Sequence, residues 1–576
     1  MKRRVERVRH DVESGRLDAG SSRFARGALL LALAGGFSRF LGVFYLIPLP
    51  RLIGEAGMGL WQMAAAWQGL LLVLASGGLQ VALARLVAEA RGRREWEREE
   101  RLLQVAMGMA SITGLLGALA LAWLGPAVAG RLQGDEGVIQ VIKAFAPSVF
   151  LLTMASVLRG YFQGRQALGV TAASEVIEQV FRVGTMLLLG AAWAPAGPGP
   201  GARGAALGAS AGGAAALALL GTALLWRGRT TGMPVDRGGQ SRDTAQRRRG
   251  GAQRPHRRLG HTLVELWRDA PAGVALALVN AGVQAAAATA IPYRLRRAGV
   301  PVETVRELYG QYGLAVRMVG VPGFISHALG SALLPAVARD RAGGHARFIA
   351  RRSEQAVRLL FLLGVPAATG MAVLAEPLAS LLFGLPGVAV PLRSAAPGVA
   401  GTLLFQATTG ILQGLGLVYR PAVHLGLAGI LQMALVWWWV GARAGRERAL
   451  VGAGGAAAVS WMVAALLNLL WVVRRTGMTV SVAEMVVRPL LASGIMAVFV
   501  SVLHPYLLAL PAGEAVPAPL AGVVAAAVWQ QSLWPGVVGV AAVAGGVVSY
   551  FLALILLGGM GSDERRWLQA LRGRPA

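Results

Sequence analysis

The 576-residue chain contains no cysteine, which excludes disulfide bonds, thiolate nucleophiles and metal sites with cysteine ligands. Charged residues are also scarce, at 15% of the chain against 55% hydrophobic residues. A soluble globular domain carries about 25% charged residues, and a disordered chain is richer in polar residues still. The composition therefore excludes both classes and indicates a protein that lies in a membrane.

Runs of 18 or more nearly uncharged residues recur along the chain, and each is long enough to cross a hydrocarbon layer about 30 Å thick. They predict an all-α polytopic membrane protein with about fourteen transmembrane helices. In chain order, spans 1 to 14 are predicted at 27–50, 60–84, 102–125, 141–162, 170–192, 204–226, 266–291, 312–336, 356–383, 395–416, 420–441, 450–473, 485–504 and 536–558. Since the connections are short, no large soluble enzyme domain is expected in them.

The N-terminus has features of a signal peptide, and one apolar stretch near the C-terminus has features of a membrane span. The basic N-terminus precedes a long apolar run without a small-residue cleavage pattern, so we expect a retained first span and no signal peptide. The apolar stretch Pro519–Trp534 has only about 16 residues, short for a span of about 20. It predicts an interfacial or re-entrant insert.

Lysine is nearly absent, so almost all of the 56 basic residues are arginine, against 28 acidic residues and a net charge of +28. In a soluble protein this balance would suggest nucleic acid as the partner. Here the arginines lie mainly after even-numbered spans, as in 85–101 and 227–258, which places these connections in the cytoplasm. We therefore expect a multi-pass protein of the cell membrane with both termini cytoplasmic and no nucleic-acid partner. Arg294–Arg297 and Arg443–Arg448 lie in odd-numbered connections and depart from the rule.

The segment 227–262 is rich in Gly, Arg and Gln and predicts a flexible basic cytoplasmic linker. It would separate an N-terminal lobe, 1–226, with spans 1–6 from a C-terminal lobe, 263–474, with spans 7–12. Spans 13–14 and a cytoplasmic tail follow in 475–576. A weak repeat favours two six-helix lobes, since Gln163-Gly164 at the end of span 4 recurs as Gln413-Gly414 at the end of span 10, 250 residues later. Such lobes imply a central cavity, as in many secondary transporters.

Four passages resemble the oligosaccharide and lipid-linked-precursor flippase branch of the multidrug/oligosaccharidyl-lipid/polysaccharide (MOP) superfamily, above all the stage V sporulation protein B group and its lipid II flippase relatives. The passages are Gly36-Phe37-Ser38-Arg39-Phe40-Leu41-Gly42 with Arg51–Gly54 and Gly57–Leu60, then Leu158-Arg159-Gly160-Tyr161-Phe162-Gln163-Gly164, Glu175-Val176-Ile177-Glu178-Gln179-Val180-Phe181-Arg182, and Val321–Phe324 with Leu333–Ala336. The third passage, which follows the second at the family spacing, is the most specific.

The resemblance implies a flippase that carries a polyprenyl-diphosphate-linked saccharide. Gram-negative lipid II flippases resemble this chain at Arg39 but carry an Arg-Asp pair six residues later, where Tyr45 and Leu46 stand here. This departure favours the sporulation-type branch. Some family members bind sodium through carboxylates in the C-terminal lobe; no Asp lies well inside spans 7 to 12 of this chain, so energy coupling stays open.

Arginines within the spans are the leading candidates for substrate contacts. Arg39 lies roughly 18 Å into span 1 at 1.5 Å per residue, where a charge costs about 2.5–3.5 kcal/mol or more and should face a wet cavity or a counter-charge. A guanidinium is suited to a substrate diphosphate, although an ion pair between helices would also explain it. Glu178 and Arg182 lie four residues apart on one face of span 5. This spacing favours a structural ion pair, with a ligand-sensitive gate as the alternative.

The other candidates have equally simple structural explanations. Arg159 closes span 4, where it could bind substrate or reach the lipid headgroups. Arg317 near the start of span 8 could face the cavity or anchor the interface. Gln62 and Asn280 could bind sugar hydroxyls or join helices. Pro322-Gly323 in span 8 predicts a kink and a possible hinge.

These observations predict a flippase or exporter that translocates a polyprenyl-diphosphate-linked saccharide, a peptidoglycan precursor or polysaccharide unit, by alternating access. No catalytic residue, metal or cofactor is expected, the partners are the lipid-linked substrate and membrane lipids, and the oligomeric state is open, a monomer being compatible. A multidrug or cation exporter of the same superfamily would need an acidic cavity. A membrane-embedded glycosyl transferase or polymer ligase would need a large external loop with catalytic side chains. A non-transporting scaffold for envelope or spore-cortex assembly would leave the intramembrane arginines unexplained.

Overall fold

The computed structural model of the chain describes residues 41–42, 44–128, 130, 135–230, 271–441, 445–509 and 534–558. These residues are helical apart from turns and short connections, and no strand occurs among them. The helices are α1 Pro48–Ser76, α2 Leu79–Gly92, α3 Trp96–Val128, α4 Glu136–Gly164, α5 Leu168–Trp193, α6 Pro198–Thr230, α7 Pro271–Arg297, α8 Val302–Gly320, α9 Gly323–Ala342, α10 Ala346–Val373, α11 Ala375–Leu378, α12 Ala389–Ala395, α13 Gly398–Gly414, α14 Arg420–Trp439, α15 Arg446–Thr476, α16 Arg488–Ala509 and α17 Trp534–Leu556.

Eleven of the described helical stretches are long and apolar enough to cross a membrane, or twelve if the bent pair α12 and α13 forms one span. The prediction of fourteen is near this number. Predicted span 1 falls mostly outside the described residues, and predicted span 8 is divided between α8 and α9. The predicted insert 519–534 and the linker 227–262 also lie outside the described residues, except at their edges.

The division of span 8 occurs at the predicted proline. α8 ends at Gly320 and α9 begins at Gly323, because Pro322 has no backbone N–H to continue the helix. A Cβ at Gly323 would lie 2.9 Å from Nε2 of Gln406 on α13, and Ser326 on α9 donates to Oε1 of the same side chain at 2.7 Å. Glycine thus lets α13 approach the break, whose role as a hinge stays a prediction.

The described residues fall into two compact units. Unit 1 takes its residues from Met1–Tyr45, Ala64–Arg131 and Glu136–Leu278, and unit 2 from Leu46–Met63, Leu132–Asp135 and Val279–Ala576. Unit 2 thus includes two short segments from the first quarter of the chain. Both segments belong to the unit that contains the later helices, and the predicted lobes stay a prediction.

The repeat indicated by the two Gln-Gly pairs extends to the packing inside each unit. In unit 1, Gly160 on α4 lies so close to α2 that a Cβ would meet the carbonyl of Gln80. In unit 2, Gly410 on α13 lies equally close to the carbonyl of Gly330 on α9. Each residue of the second contact stands 250 positions after its counterpart in the first. The two helix pairs therefore pack in the same register.

The last two described helices, α16 and α17, belong to unit 2 and enclose an apolar cavity together with α10. The Tyr550 hydroxyl on α17 donates to the carbonyl of Leu362 on α10 at 2.9 Å, and α16 packs between these elements through Met496 and Val500. The cavity among the three helices has a volume of about 360 Å³. Its walls are almost wholly apolar, as expected for helices that meet in lipid.

Candidate functional site

A cluster of charged side chains joins α4 and α5 in unit 1. Nη2 of Arg159 lies 2.5 Å from Oε2 of Glu178, and Nε of Arg159 donates to Oγ of Ser174 at 2.9 Å. Arg182 donates to Oε1 of the same Glu178 carboxylate. The side chains of Arg159 and Glu178 are 13% and 12% exposed, and that of Arg182 is 28% exposed. Two guanidinium groups thus share the two oxygens of one buried carboxylate.

Helix geometry explains half of this cluster, and helix packing explains the rest. Arg182 lies one turn after Glu178 on α5, in the order that favours an ion pair. Arg159 reaches Glu178 from α4, which a connection of only three residues, 165–167, joins to α5. Such a contact between helices depends on their rotation and register, so the sequence indicated only the pair on α5.

Small residues on α6 support the cluster from the other side. A Cβ at Gly208 would lie 2.5 Å from the carbonyl oxygen of Arg182, and one at Gly212 would lie 2.6 Å from that of Glu178. Glycine at these positions lets the backbones of α5 and α6 touch. Gly204, Gly208 and Gly212 recur every four residues, a signal that is hard to recognise in a chain with 78 glycines.

The cluster offers two guanidinium groups to one directly paired carboxylate. Arg159 and Arg182 both contact Glu178, and the half-buried Glu175, one turn before Glu178 on α5, balances the remaining positive charge. Away from bulk water, each guanidinium keeps a strong preference for an oxyanion. Glu178 is the resident oxyanion, and a phosphate group would offer both arginines the same kind of oxygen.

The corresponding positions of unit 2 hold no arginine or carboxylate. Thr409, His424 and Gln432 stand 250 residues after Arg159, Ser174 and Arg182. Nδ1 of His424 lies 2.7 Å from Oδ1 of Asn468, whose Nδ2 donates to Oγ1 of Thr409 at 3.1 Å. This network is buried, and among these equivalent positions only those of unit 1 combine arginines with a carboxylate.

The other predicted site residues lie elsewhere. Arg39 lies outside the described residues. Arg317, Gln62 and Asn280 belong to unit 2, whereas Arg159 and Arg182 belong to unit 1. The Arg317 guanidinium lies over the Trp61 ring, 5.0 Å from its centroid, and Asn280 is half-buried on α7. Gln62 is 4% exposed.

Sequence reasoning missed a second set of polar contacts, which lies within unit 2. Arg306 at the start of α8 donates two hydrogen bonds to Asp135, from Nε at 2.8 Å and from Nη2 at 2.6 Å. Nε2 of Gln311 donates to Glu55 at 2.7 Å. An acidic residue in a connection gives no hint of its partner when that partner is about 170 residues away, so no local pattern could have found the pair.

Metal-binding side chains do not gather in the described part of the chain. No group of three or more His, Asp or Glu residues there has the geometry to hold a metal ion. The described chemistry is therefore that of arginines, their carboxylates and neutral hydrogen-bonding groups.

Comparisons with known proteins show which proteins this chain resembles. The polysaccharide biosynthesis protein family matches residues 24–235. Stage V sporulation protein B of Bacillus subtilis (strain 168) is 28% identical over 435 residues, which cover 72% of this chain and 80% of that protein. The long apolar helices of the described residues agree with a multi-pass membrane protein.

Two solved structures have a similar fold. The structure of the lipid II flippase MurJ in an inward closed conformation matches with a TM-score of 0.61 at 12% identity, over 92% of this chain and 98% of that one. An inward-facing multidrug resistance MATE family transporter of the MOP superfamily matches with a TM-score of 0.55 at 15% identity, over 75% of this chain and 98% of that one. The all-helical fold predicted from the sequence is thereby confirmed.

Proposed function

We propose that this chain is a flippase of the MOP superfamily and that it translocates a polyprenyl-diphosphate-linked saccharide, a peptidoglycan precursor or a polysaccharide unit, across the cell membrane by alternating access. The observation that supports this substrate class is the sharing of one buried carboxylate by Arg159 and Arg182. A diphosphate carries several oxyanions and can satisfy two guanidinium groups at once. The names of the relatives, a polysaccharide biosynthesis family and a lipid II flippase, point to the same chemistry.

In this proposal Glu178 occupies the substrate's place while the site is empty. Removing one partner from a buried ion pair is strongly unfavourable, so the arginines need an anion at every stage. An arriving diphosphate would displace Glu178 from at least one guanidinium. The released carboxylate would then turn to water or take up a proton, which couples substrate binding to a local change on α5.

The remaining predicted residues have supporting roles. We assign Arg39 and Arg317 to further contacts with the diphosphate, and Gln62 and Asn280 to polar contacts with the saccharide. Pro322-Gly323 would be a hinge in α8–α9. The lobes would be 1–226 and 263–474, with linker 227–262 and both termini in the cytoplasm.

The charge of the cluster argues against the rival function. A cation exporter would need an acidic site, whereas the described cluster on α4 and α5 has two arginines for one directly paired carboxylate. A scaffold without transport activity would have no use for this pairing beyond stability. The two rivals therefore predict that transport of lipid-linked saccharides is absent or independent of Arg159 and Arg182.

The test is a headgroup-protection assay in reconstituted vesicles, comparing lipid II with other polyprenyl-diphosphate-linked saccharides. We expect Arg159→Gln and Arg182→Gln to reduce headgroup translocation at least tenfold, while the proteins still fold. The exchange Glu178→Arg with Arg182→Glu keeps an ion pair. If the pair is only structural, the exchanged protein should transport normally, and full activity would refute the assignment of this site. Failure of every lipid-linked saccharide in the unmodified protein would refute the substrate class.

A further inference from the structure

Five of the arginines that depart from the charge rule of the sequence lie at one end of unit 2. Three of them are in the last turn of α7, and two are in the first turn of α15. Trp439 ends α14, which a short connection joins to α15. We call the surface made of residues 293–297, 437–439 and 445–448 the α7–α14 patch. Its arginines follow odd-numbered predicted spans, where the charge rule predicts few cations.

The last turns of α7 and α14 meet because the two helices pack side by side in the same direction. A Cβ at Gly429 on α14 would meet the side chain of Val283 on α7. Further along both helices, Nε of Arg294 donates to the carbonyl of Val440 at 3.2 Å. The residue numbers increase together along this contact, so the helices are parallel, and the carboxyl ends of both favour cations nearby.

Arg294 and Arg446 have structural roles in the α7–α14 patch. The guanidinium of Arg294 lies 4.4 Å from the centroid of the Trp437 ring, and that ring stacks with Tyr293 at 6.2 Å between centroids. Such a cation–π contact joins the ends of α7 and α14. Arg446 donates to Oγ1 of Thr304 on α8 at 3.5 Å. These two arginines therefore hold helix ends together and are not assigned to a ligand.

The three remaining arginines of the patch carry charge that no described carboxylate neutralises. Arg296, Arg297 and Arg448 are exposed, and none of them has an ion-pair partner among the residues that the structure describes. Arg297 contacts the uncharged Tyr293 ring, 5.4 Å from its centroid. Glu447 is the one acidic residue in the sequence of the patch. Since a guanidinium has five N–H donors in a plane that matches phosphate oxygens, these side chains can bind an anion from outside the chain.

Exposed tryptophans place the patch at the depth of the lipid headgroups. The Trp437 and Trp438 side chains are 52% and 78% exposed at the end of the candidate membrane span Arg420–Trp439. Tryptophan concentrates where the hydrocarbon meets the headgroups, because its ring is apolar and its N–H is polar. Arginines at the same helix ends therefore lie level with lipid phosphates.

Unit 1 forms the equivalent helix ends without these side chains. Leu187–Leu189 on α5 stand 250 residues before Trp437–Trp439, and Pro198 stands 250 residues before Arg448. α5 and α6 nevertheless form two consecutive helices with a short connection, as α14 and α15 do. The fold therefore does not require the tryptophans and arginines, which favours a role in binding.

We propose that the α7–α14 patch binds anionic phospholipid headgroups, with Arg296, Arg297 and Arg448 in contact with their phosphates. The three arginines are spread over two helix ends, which fits several headgroups in the plane of a membrane better than one enclosed ligand. Each arginine near an anionic lipid surface adds attraction equivalent to about a fivefold change in affinity. The patch belongs to unit 2, whereas the charged cluster on α4 and α5 belongs to unit 1, so lipid binding does not depend on the transported substrate.

Because the chain has no cysteine, one introduced thiol can report which lipid lies beside the patch. Ala434 is exposed on α14, one turn before Trp438, so Ala434→Cys carries a small fluorophore towards the lipid. Gly184→Cys on α5, 250 residues earlier, is the control reporter, since a Cβ there meets nothing within 4 Å. The full chain is reconstituted in phosphatidylcholine vesicles that contain either nitroxide-labelled phosphatidylglycerol or nitroxide-labelled phosphatidylcholine. A nitroxide quenches only a fluorophore in its immediate neighbourhood.

We expect labelled phosphatidylglycerol to quench the Ala434→Cys reporter at a mole fraction about fivefold lower than labelled phosphatidylcholine does. At Gly184→Cys the two lipids should quench equally. The preference at Ala434→Cys should weaken when the ionic strength rises from about 0.1 M to about 1 M, because the Debye length falls from about 10 Å to about 3 Å. Equal quenching by the two lipids at Ala434→Cys, or the same preference at both reporters, would overturn the proposal.

A triple variant tests the three arginines directly. Arg296→Gln, Arg297→Gln and Arg448→Gln together should abolish the preference for phosphatidylglycerol at Ala434→Cys without lowering the melting temperature. The matched control removes three exposed arginines from the opposite ends of α9, α10 and α15 and should keep the preference: Arg339→Gln, Arg347→Gln and Arg474→Gln. Survival of the preference in the first variant, or its loss in the control, would overturn the assignment to the patch.

A charge-retaining variant covers the case in which the glutamine variant fails to fold. Arg296→Lys, Arg297→Lys and Arg448→Lys together keep three positive charges and should keep most of the preference. Its loss in this variant, with an unchanged melting temperature, would contradict binding by charge. Displacement of labelled phosphatidylglycerol by an added polyprenyl diphosphate, but not by unlabelled phosphatidylglycerol, would overturn the assignment to phospholipids.

Discussion

Arg94 and Gly344 adopt the same left-handed backbone conformation, 250 residues apart, with φ of 58° and 71°. They end equivalent helices, α2 and α9, and the hydrogen bonds of the two turns correspond, since Arg94 N donates to Arg91 O at 3.0 Å and Gly344 N to Arg341 O at 3.1 Å. The same holds for Gln166 and Gly416, with φ of 59° and 77°. The same turns therefore occur in both units, but unit 1 has Arg94 and Gln166 where unit 2 has glycine. A residue with a side chain is strained at positive φ, and glycine is not.

The first prediction concerns this backbone strain. Arg94→Gly should raise the free energy of unfolding by about 1 kcal/mol, because a side chain with positive φ is strained and glycine is not. Gly344→Ala should lower it by a similar amount. No atom lies within 4 Å of the new Cβ at Gly344, so only the backbone would be affected. Denaturant unfolding in detergent measures both, and equal effects of the same sign would contradict the prediction.

The second prediction separates the members of the charged cluster. Glu178→Gln leaves Arg159 and Arg182 without their shared carboxylate and should cost about 2–3 kcal/mol of stability, less than for a fully buried pair because Arg182 is 28% exposed. Arg182→Gln leaves Glu178 paired with Arg159 and should cost only about 1 kcal/mol. Thermal unfolding in the same detergent compares them. Equal losses would show that Arg159 does not hold Glu178.

The third prediction tests the contact between α5 and α6. Gly212→Ala places a Cβ 2.6 Å from the carbonyl oxygen of Glu178, and we expect a loss of about 1–3 kcal/mol together with reduced transport. Gly221→Ala on the same helix meets nothing within 4 Å and should be neutral or stabilising by about 0.5–1 kcal/mol. Melting temperatures and headgroup translocation measure the two effects. If Gly212→Ala behaved like Gly221→Ala, the close packing would be refuted.

The fourth prediction concerns the break between α8 and α9. Pro322→Ala restores a backbone N–H and permits a continuous helix, so we expect a protein of equal or higher stability that transports several-fold more slowly. Both headgroup translocation and the melting temperature are measured. Slow translocation with an unchanged or higher melting temperature supports the hinge, whereas a lower melting temperature would indicate misfolding. Normal transport by Pro322→Ala would remove the hinge from the mechanism.

Much of the fold follows from the sequence, because apolar length and proline position act locally. The helix break at Pro322 and the ends of α14 and α15 lie close to the predicted boundaries. The Gln163-Gly164 and Gln413-Gly414 pairs indicated a repeat that the glycine contacts on Gln80 and Gly330 display in three dimensions. Arg39, the leading candidate from the sequence, lies outside the described residues, so its role stays a prediction.

Fewer contacts of the candidate site could be predicted from the sequence. Glu178 and Arg182 were recognised because residues four apart share a helix face. The contact of Arg159 with the same carboxylate, the support from Gly212, and the Asp135–Arg306 pair join residues on different elements. No local spacing encodes such contacts, and the abundance of glycine concealed the regular spacing on α6.

The sequence alone determined that the chain is a bundle of membrane-spanning helices, because a chain this apolar must satisfy its backbone hydrogen bonds within each segment. The all-helical class and an approximate number of spans follow from that requirement. Only the tertiary structure decided which arginine meets which carboxylate, and that the start of α1 packs against α8 through Gly59 and Gly310. Those choices depend on the rotation and register of whole helices, which are set by many weak contacts at once.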